Sequence, residues 1–89
     1  MEYSFRLRPS DSFEIGSQKI ALRRIVSNTR VTLELIEGDS RTRVDLRLGT
    51  PLVPAPSVSV ALDPNTSRAS MAAGLLISAP DSMRVTPPD

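Results

Sequence analysis

Apolar and polar positions alternate with a period of two along most of this chain, which is the signature of half-buried β-strands. Tyr3, Phe5 and Leu7 alternate with Ser4, Arg6 and Arg8, so a first strand has one apolar and one cationic face. Pro9-Ser10-Asp11-Ser12 is turn chemistry. Phe13 and Ile15 restart the alternation, which ends at Gly16. Ile20 and Leu22 continue it. Arg24 then breaks the phase, and Ile25-Val26 resume out of step, so a β-bulge is expected there. The clearest element is a hairpin. Val31, Leu33 and Leu35 form one strand, Glu37-Gly38-Asp39-Ser40 turn the chain, and Val44, Leu46 and Leu48 form the return. The intervening Thr32, Glu34, Arg43, Asp45 and Arg47 make a wet, charged face.

Composition shifts at Gly49. The stretch GTPLVPAP holds three prolines in eight residues and reads as an extended connector. SVSVAL, Ser57 to Leu62, is a short strand. RASMAAGLLIS is ambiguous. Thr66 or Ser67 can cap a helix from about Arg68 to Ala73, ended by Gly74, with Leu75-Leu76-Ile77 as a strand beyond it. Pro80-Asp81 turns again, and Met83 and Val85 supply a last short strand. The pattern predicts an all-β protein, a small antiparallel sheet or barrel-like domain with at most one short helix. Its 89 residues make a single domain over 1–89, with residues 49–74 as a proline-containing connector or insertion within it.

Bulk charge excludes little. Eleven basic residues face ten acidic ones, for a net charge of +1. Ten of the bases are arginine and one is Lys19, and the arginine fork suits phosphate and guanine edges. No apolar run is long enough to span a membrane. The opening MEYSFRLRPS lacks a signal peptide's apolar core, so a cytoplasmic protein is expected.

The inventory for catalysis is thin. Without histidine or cysteine there is no histidine-based triad, thiol nucleophile or usual zinc ligand set. Ser17 with Lys19 is a formal dyad on an exposed turn, and Glu37 with Asp39 sit in a hairpin turn. No phosphate loop or calcium loop is present. The expectation is a protein without enzymatic activity, cofactor or metal. Binding remains. Arg6 and Arg8 share a face, Arg23 and Arg24 are adjacent, and Arg41, Arg43 and Arg47 line the hairpin. The hairpin arginines have Glu34, Glu37 and Asp45 for cross-strand partners, whereas Arg6 and Arg8 have few acids nearby. With two Phe, one Tyr and no Trp, base recognition would use arginine forks and backbone groups rather than an aromatic platform.

RLRPSDSFEIG resembles the start of the carbon storage regulator family of bacterial RNA-binding proteins, with Arg8, Asp11, Phe13, Ile15 and Gly16 at matching positions. KIALRRIVSNTRVTL is similar to the family's middle, and LLISAPDSMRV, with Ala79-Pro80, to its closing segment. The resemblance implies an intertwined homodimer of five-stranded subunits in which the first strand of one chain pairs with the last strand of the other. It implies binding of GGA-containing messenger RNA loops and repression of translation. The implied RNA-binding residues are Phe5, Arg6, Leu7 and Arg8 from one chain with Ala79, Pro80, Met83, Arg84 and Val85 from the other. Pro87 stands where the family carries its key arginine, and Arg84 is the nearest cation. Residues 36–74 separate the two matching pieces. The alternative is a small β-rich structural or protein-interaction module, such as a viral or assembly component, that binds no RNA. A protein partner would then be an assembly component, or a host regulator captured by a relative that has lost RNA binding.

Overall fold

The computed structural model describes residues 1–67, 69 and 71–88, and among them it is all-β, with two antiparallel sheets and no helix. Nine strands appear: β1 (Glu2–Leu7), β2 (Ser12–Ile15), β3 (Gln18–Ser27), β4 (Arg30–Glu37), β5 (Ser40–Arg47), β6 (Leu52–Ala55), β7 (Val58–Leu62), β8 (Ala73–Ser78) and β9 (Val85–Thr86). One sheet has the order β1-β8-β7-β6 and the other β5-β4-β3-β2-β9. The chain therefore starts in the first sheet, builds most of the second as a meander, returns, and ends in the second.

Period-two alternation decides the core. Phe13, Ile15, Ile20, Leu22, Ile25, Val31, Leu33 and Leu46 of the second sheet meet Leu7, Val58, Val60, Leu62, Ala73, Leu75 and Ile77 of the first. Each large side chain so buried contributes roughly 1.5–3 kcal/mol. Phe5 and Phe13 join the sheets at the β1 side, with ring centroids 5.2 Å apart and planes tilted by 57°. The expected hairpin is β4–β5, with Val31 opposite Leu46 and Leu33 opposite Val44. Gly38, at φ +58°, is the first of its two loop residues, where a tight hairpin needs positive φ. The bulge is present too: the β3–β4 register shifts between Leu22 and Arg24, and again between Ile25 and Ser27.

The helix expected from about Arg68 to Ala73 is not what the described part of that segment forms. Arg68 and Ser70 lie outside the described residues. Ser67 bridges to Ala72, Met71 has φ +54°, and Ala73 opens β8. The Thr66 hydroxyl caps no helix. It accepts a 3.0 Å bond from the Gly74 N–H across the loop. Alanine's helical preference is small beside the burial of Ala73, Leu75 and Ile77 on one strand face. The proline-rich stretch supplies β6, and β7 carries Val58, Val60 and Leu62 into the core. No helix among the described residues is long and apolar enough to cross a membrane.

Leu33→Ala, at a fully buried site on a central strand, is expected to lose about 3 kcal/mol in urea unfolding. Leu48→Ala, at a position 40% exposed, is expected to stay within about 0.5 kcal/mol of the parent.

Candidate nucleic-acid interface

The structure sorts the arginines by whether a carboxylate holds them. Glu34 lies on the outer face of β4, opposite Ala21 of β3 and Arg43 of β5. The Arg23 Nε donates to its Oε1 at 3.1 Å, Arg41 approaches the same oxygen at 3.5 Å, and Arg43 lies 3.8 Å from Oε2. Glu34 itself is only 7% exposed. The hydrogen bond from Arg23 is the main cause that lowers its pKa; the charges of Arg23, Arg41 and Arg43 add to it, and desolvation opposes them. Arg30 pairs loosely with Asp45, at 3.9 Å, while Thr32 donates to the same carboxylate at 3.1 Å. Arg6, Arg8, Arg24, Arg47 and Arg84 have no carboxylate partner among the described residues.

A clamped turn carries Arg8 to the part of β3 that holds Arg24. The Arg8 N–H donates to Asp11 Oδ2 at 2.9 Å, and the Asp11 N–H donates to the Arg8 carbonyl at 2.9 Å. This closes Arg8-Pro9-Ser10-Asp11 into a tight loop with Ser10 at φ +85°. The loop is then fastened to β3. The Ser10 N–H donates to the Leu22 carbonyl at 2.8 Å, and the Leu22 N–H donates to the Asp11 carbonyl at 2.9 Å. Leu22 is also where the bulge begins, and a bulge re-aims the side chains that follow it. Arg23 consequently reaches Glu34 while Arg24 is left exposed. Pro9, Arg23, Arg24, Ile25, Ala69 and Met71 line an open groove of about 650 Å³. A second hollow beside it is lined by Arg8, Pro9, Ala69 and Met71. Met71 is 62% exposed and belongs to both.

The residues expected from the sequence separate into two groups. Arg6 and Arg8 are exposed at the far end of β1. Leu7 is fully buried, and Phe5 is half-buried against Phe13. Ala79 is buried at the opposite end of β1, where its N–H donates to the Met1 carbonyl at 3.0 Å. Pro80 and Met83 are half-buried, and the Pro80 carbonyl accepts the Met83 N–H at 3.0 Å. Arg84 is exposed, its carbonyl holding the Gly16 N–H at 2.8 Å, and Val85 pairs with Ile15. Within one chain β1 pairs with β8 and β9 pairs with β2. Arg8 and Ala79 thus lie roughly 24 Å apart along the ladder at about 3.4 Å per residue. Sequence reasoning did not join Arg24 or Met71 to Arg8. The phase break at Arg24 was the available signal, but its meaning depends on the docking of the turn.

Among the other polar pairs, the Ser17 hydroxyl donates to Glu37 Oε2 at 3.0 Å, which engages both side chains at the surface.

Because the folded-state pKa of Glu34 is depressed, its stabilisation is present above the unfolded-state value and is lost as pH falls through the folded one. Thermal melts between about pH 7 and about pH 2 are expected to show an acid loss of stability that Glu34→Gln reduces. The same variant is expected to melt below the parent at neutral pH. No family model matches the chain, and neither a curated protein nor a solved structure shows a significant match to it.

Proposed function

We propose that the protein is an RNA-binding regulator that holds single-stranded messenger RNA at the groove between Arg8 and Arg24. The carrying observation is the sorting of the arginines. Those with carboxylate partners include the arginines on the outer face of the second sheet, while Arg24 lines one hollow and Arg8 the adjoining one, the two hollows sharing Pro9, Ala69 and Met71, and neither guanidinium has a carboxylate partner among the described residues. Arginine forks there would take phosphate oxygens or the O6 and N7 edge of guanine. Met71 offers a polarisable apolar contact for a base between them. The resemblance of RLRPSDSFEIG and LLISAPDSMRV to carbon storage regulators favours a GGA-containing loop as the target, and occlusion of the message in the cytoplasm as the effect.

A second reading, a β-rich assembly module, is favoured by the outer face of the first sheet. Ser4, Ser59, Ala61 and Ser78 surround the exposed Leu76 there, with charge confined to Glu2 and Arg6 of the outermost strand.

Fluorescence anisotropy on an RNA hairpin with GGA in its loop, against a CCU loop, tests the proposal. Arg8→Ala and Arg24→Ala are each expected to weaken GGA binding about tenfold, in line with about 1–3 kcal/mol per good arginine contact. Arg43→Ala, whose partner is Glu34, is expected to change it little. Affinity is expected to fall with added salt. Equal, weak binding to both loops would remove the RNA reading in favour of the assembly module.

A further inference from the structure

β1 is an outermost strand, and the direction of its backbone groups follows from one pair. Met1 and Ala79 exchange both backbone bonds, at 2.6 and 3.0 Å, which marks them as a hydrogen-bonded pair of the antiparallel ladder. Counting by two along the register, Tyr3–Ile77, Phe5–Leu75 and Leu7–Ala73 are hydrogen-bonded pairs as well. The N–H and C=O groups of Glu2, Ser4 and Arg6 therefore point away from β8. No backbone group among the described residues bonds to them, and all three residues are exposed.

The other sheet edges are guarded. β6 contains Pro54 between Pro51 and Pro56. β9 has two residues followed by Pro87 and Pro88. β5 carries Arg41, Arg43 and Arg47 against a single Asp45, so two copies set edge to edge bring mostly like charges together. β1 has no proline and carries one charge of each sign.

Those two charges are placed symmetrically about Ser4. We propose that β1 is a self-complementary edge that joins two copies of this chain, antiparallel, about a two-fold axis at Ser4. Ser4 then faces Ser4 of the partner subunit, Glu2 faces Arg6 of the partner subunit, and Arg6 faces Glu2 of the partner subunit. All three are hydrogen-bonded pairs, so every outward backbone group of β1 gains a bond. Opposite charges lie directly across from each other, which stabilises a strand pair, whereas like charges destabilise it. Moving the axis by one residue either way loses the match between Glu2 and Arg6 and leaves outward groups unpaired. On the inner face the half-buried Tyr3 lies across from Phe5 of the partner subunit, extending the aromatic contact between Tyr3 and Phe5, now 6.0 Å between centroids. The two four-stranded sheets merge into one of eight. An interface of this kind is isologous and closed, so it ends at a dimer. It is independent of the RNA reading, and Arg8, whose backbone is held in the turn, lies outside the paired stretch.

Sedimentation velocity of the full chain without RNA tests the proposal. The parent is expected to be a dimer at about 100 μM, where a micromolar association is near saturation. Glu2→Arg and Arg6→Glu, each placing like charges across the axis, are each expected to weaken dimerisation at least about tenfold. The double variant Glu2→Arg/Arg6→Glu is expected to restore it to within about threefold of the parent. Ser4→Pro removes an outward N–H but no bond to β8, so it is expected to give a monomer with the parent's circular dichroism. A monomeric parent, single variants that dimerise like the parent, or a double variant that stays monomeric would each overturn the proposal.

Discussion

The backbone of Leu22 is the point on which the rest of the structure depends. Its carbonyl and N–H bond to Ser10 and Asp11, while its side chain is fully buried between the sheets. The chain leaves the first sheet at Leu7 and enters the second at Ser12, so the turn between them must be fastened to one or the other. Leu22 fastens it to β3. That bond pair sets the approach of β1 over the core, and with it the contact of Phe5 and Phe13. It also places Arg8 beside the bulge that turns Arg24 outward. A buried backbone group left without a partner is costly, so the two bonds at Leu22 satisfy the turn as well as locating it.

Electrostatics in this protein is a matter of distribution rather than total. A net charge of +1 conceals a second sheet in which Arg23, Arg41 and Arg43 converge on Glu34 and Arg30 on Asp45. Glu34 is nearly buried with three arginines around its carboxylate, and loss of its charge would leave those cations facing one another. Arg6, Arg8 and Arg84 lie on other elements, away from these acids. A small domain can in this way be nearly neutral and still present a local cationic surface. The same separation applies on β1, where Glu2 and Arg6 are too far apart to pair within a strand but are spaced to pair across a two-fold axis.

Strand edges raise a related problem. Open backbone groups invite any extended partner, and this chain blunts three of its four edges with proline, brevity or like charge. The fourth edge carries unlike charges around a small central residue. Such an edge discriminates by charge pattern, since a strand lacking the complementary spacing meets unpaired or repelling groups.

What the sequence determined by itself was local. Alternation named the strands and the side of each that would be buried, because a pleated strand alternates its side chains whatever lies beside it. Gly38 marked the tight hairpin, and the lost phase at Arg24 marked the bulge. Tertiary structure decided which strands are neighbours. The period of two is the same for every strand and carries no label for its partner. Thus β1 joins β8 rather than another strand, Arg8 and Ala79 lie beyond opposite ends of that ladder, and Val85 pairs with Ile15 in the other sheet. The strand over residues 75–77 was legible, but Ala73 read locally as the end of a helix, and the core made the choice by burying Ala73, Leu75 and Ile77 together on one strand. The two adjoining hollows, one with Arg24 and one with Arg8 and both with Met71, were equally out of reach, because their walls come from three segments distant in the chain and meet only after the turn docks on Leu22.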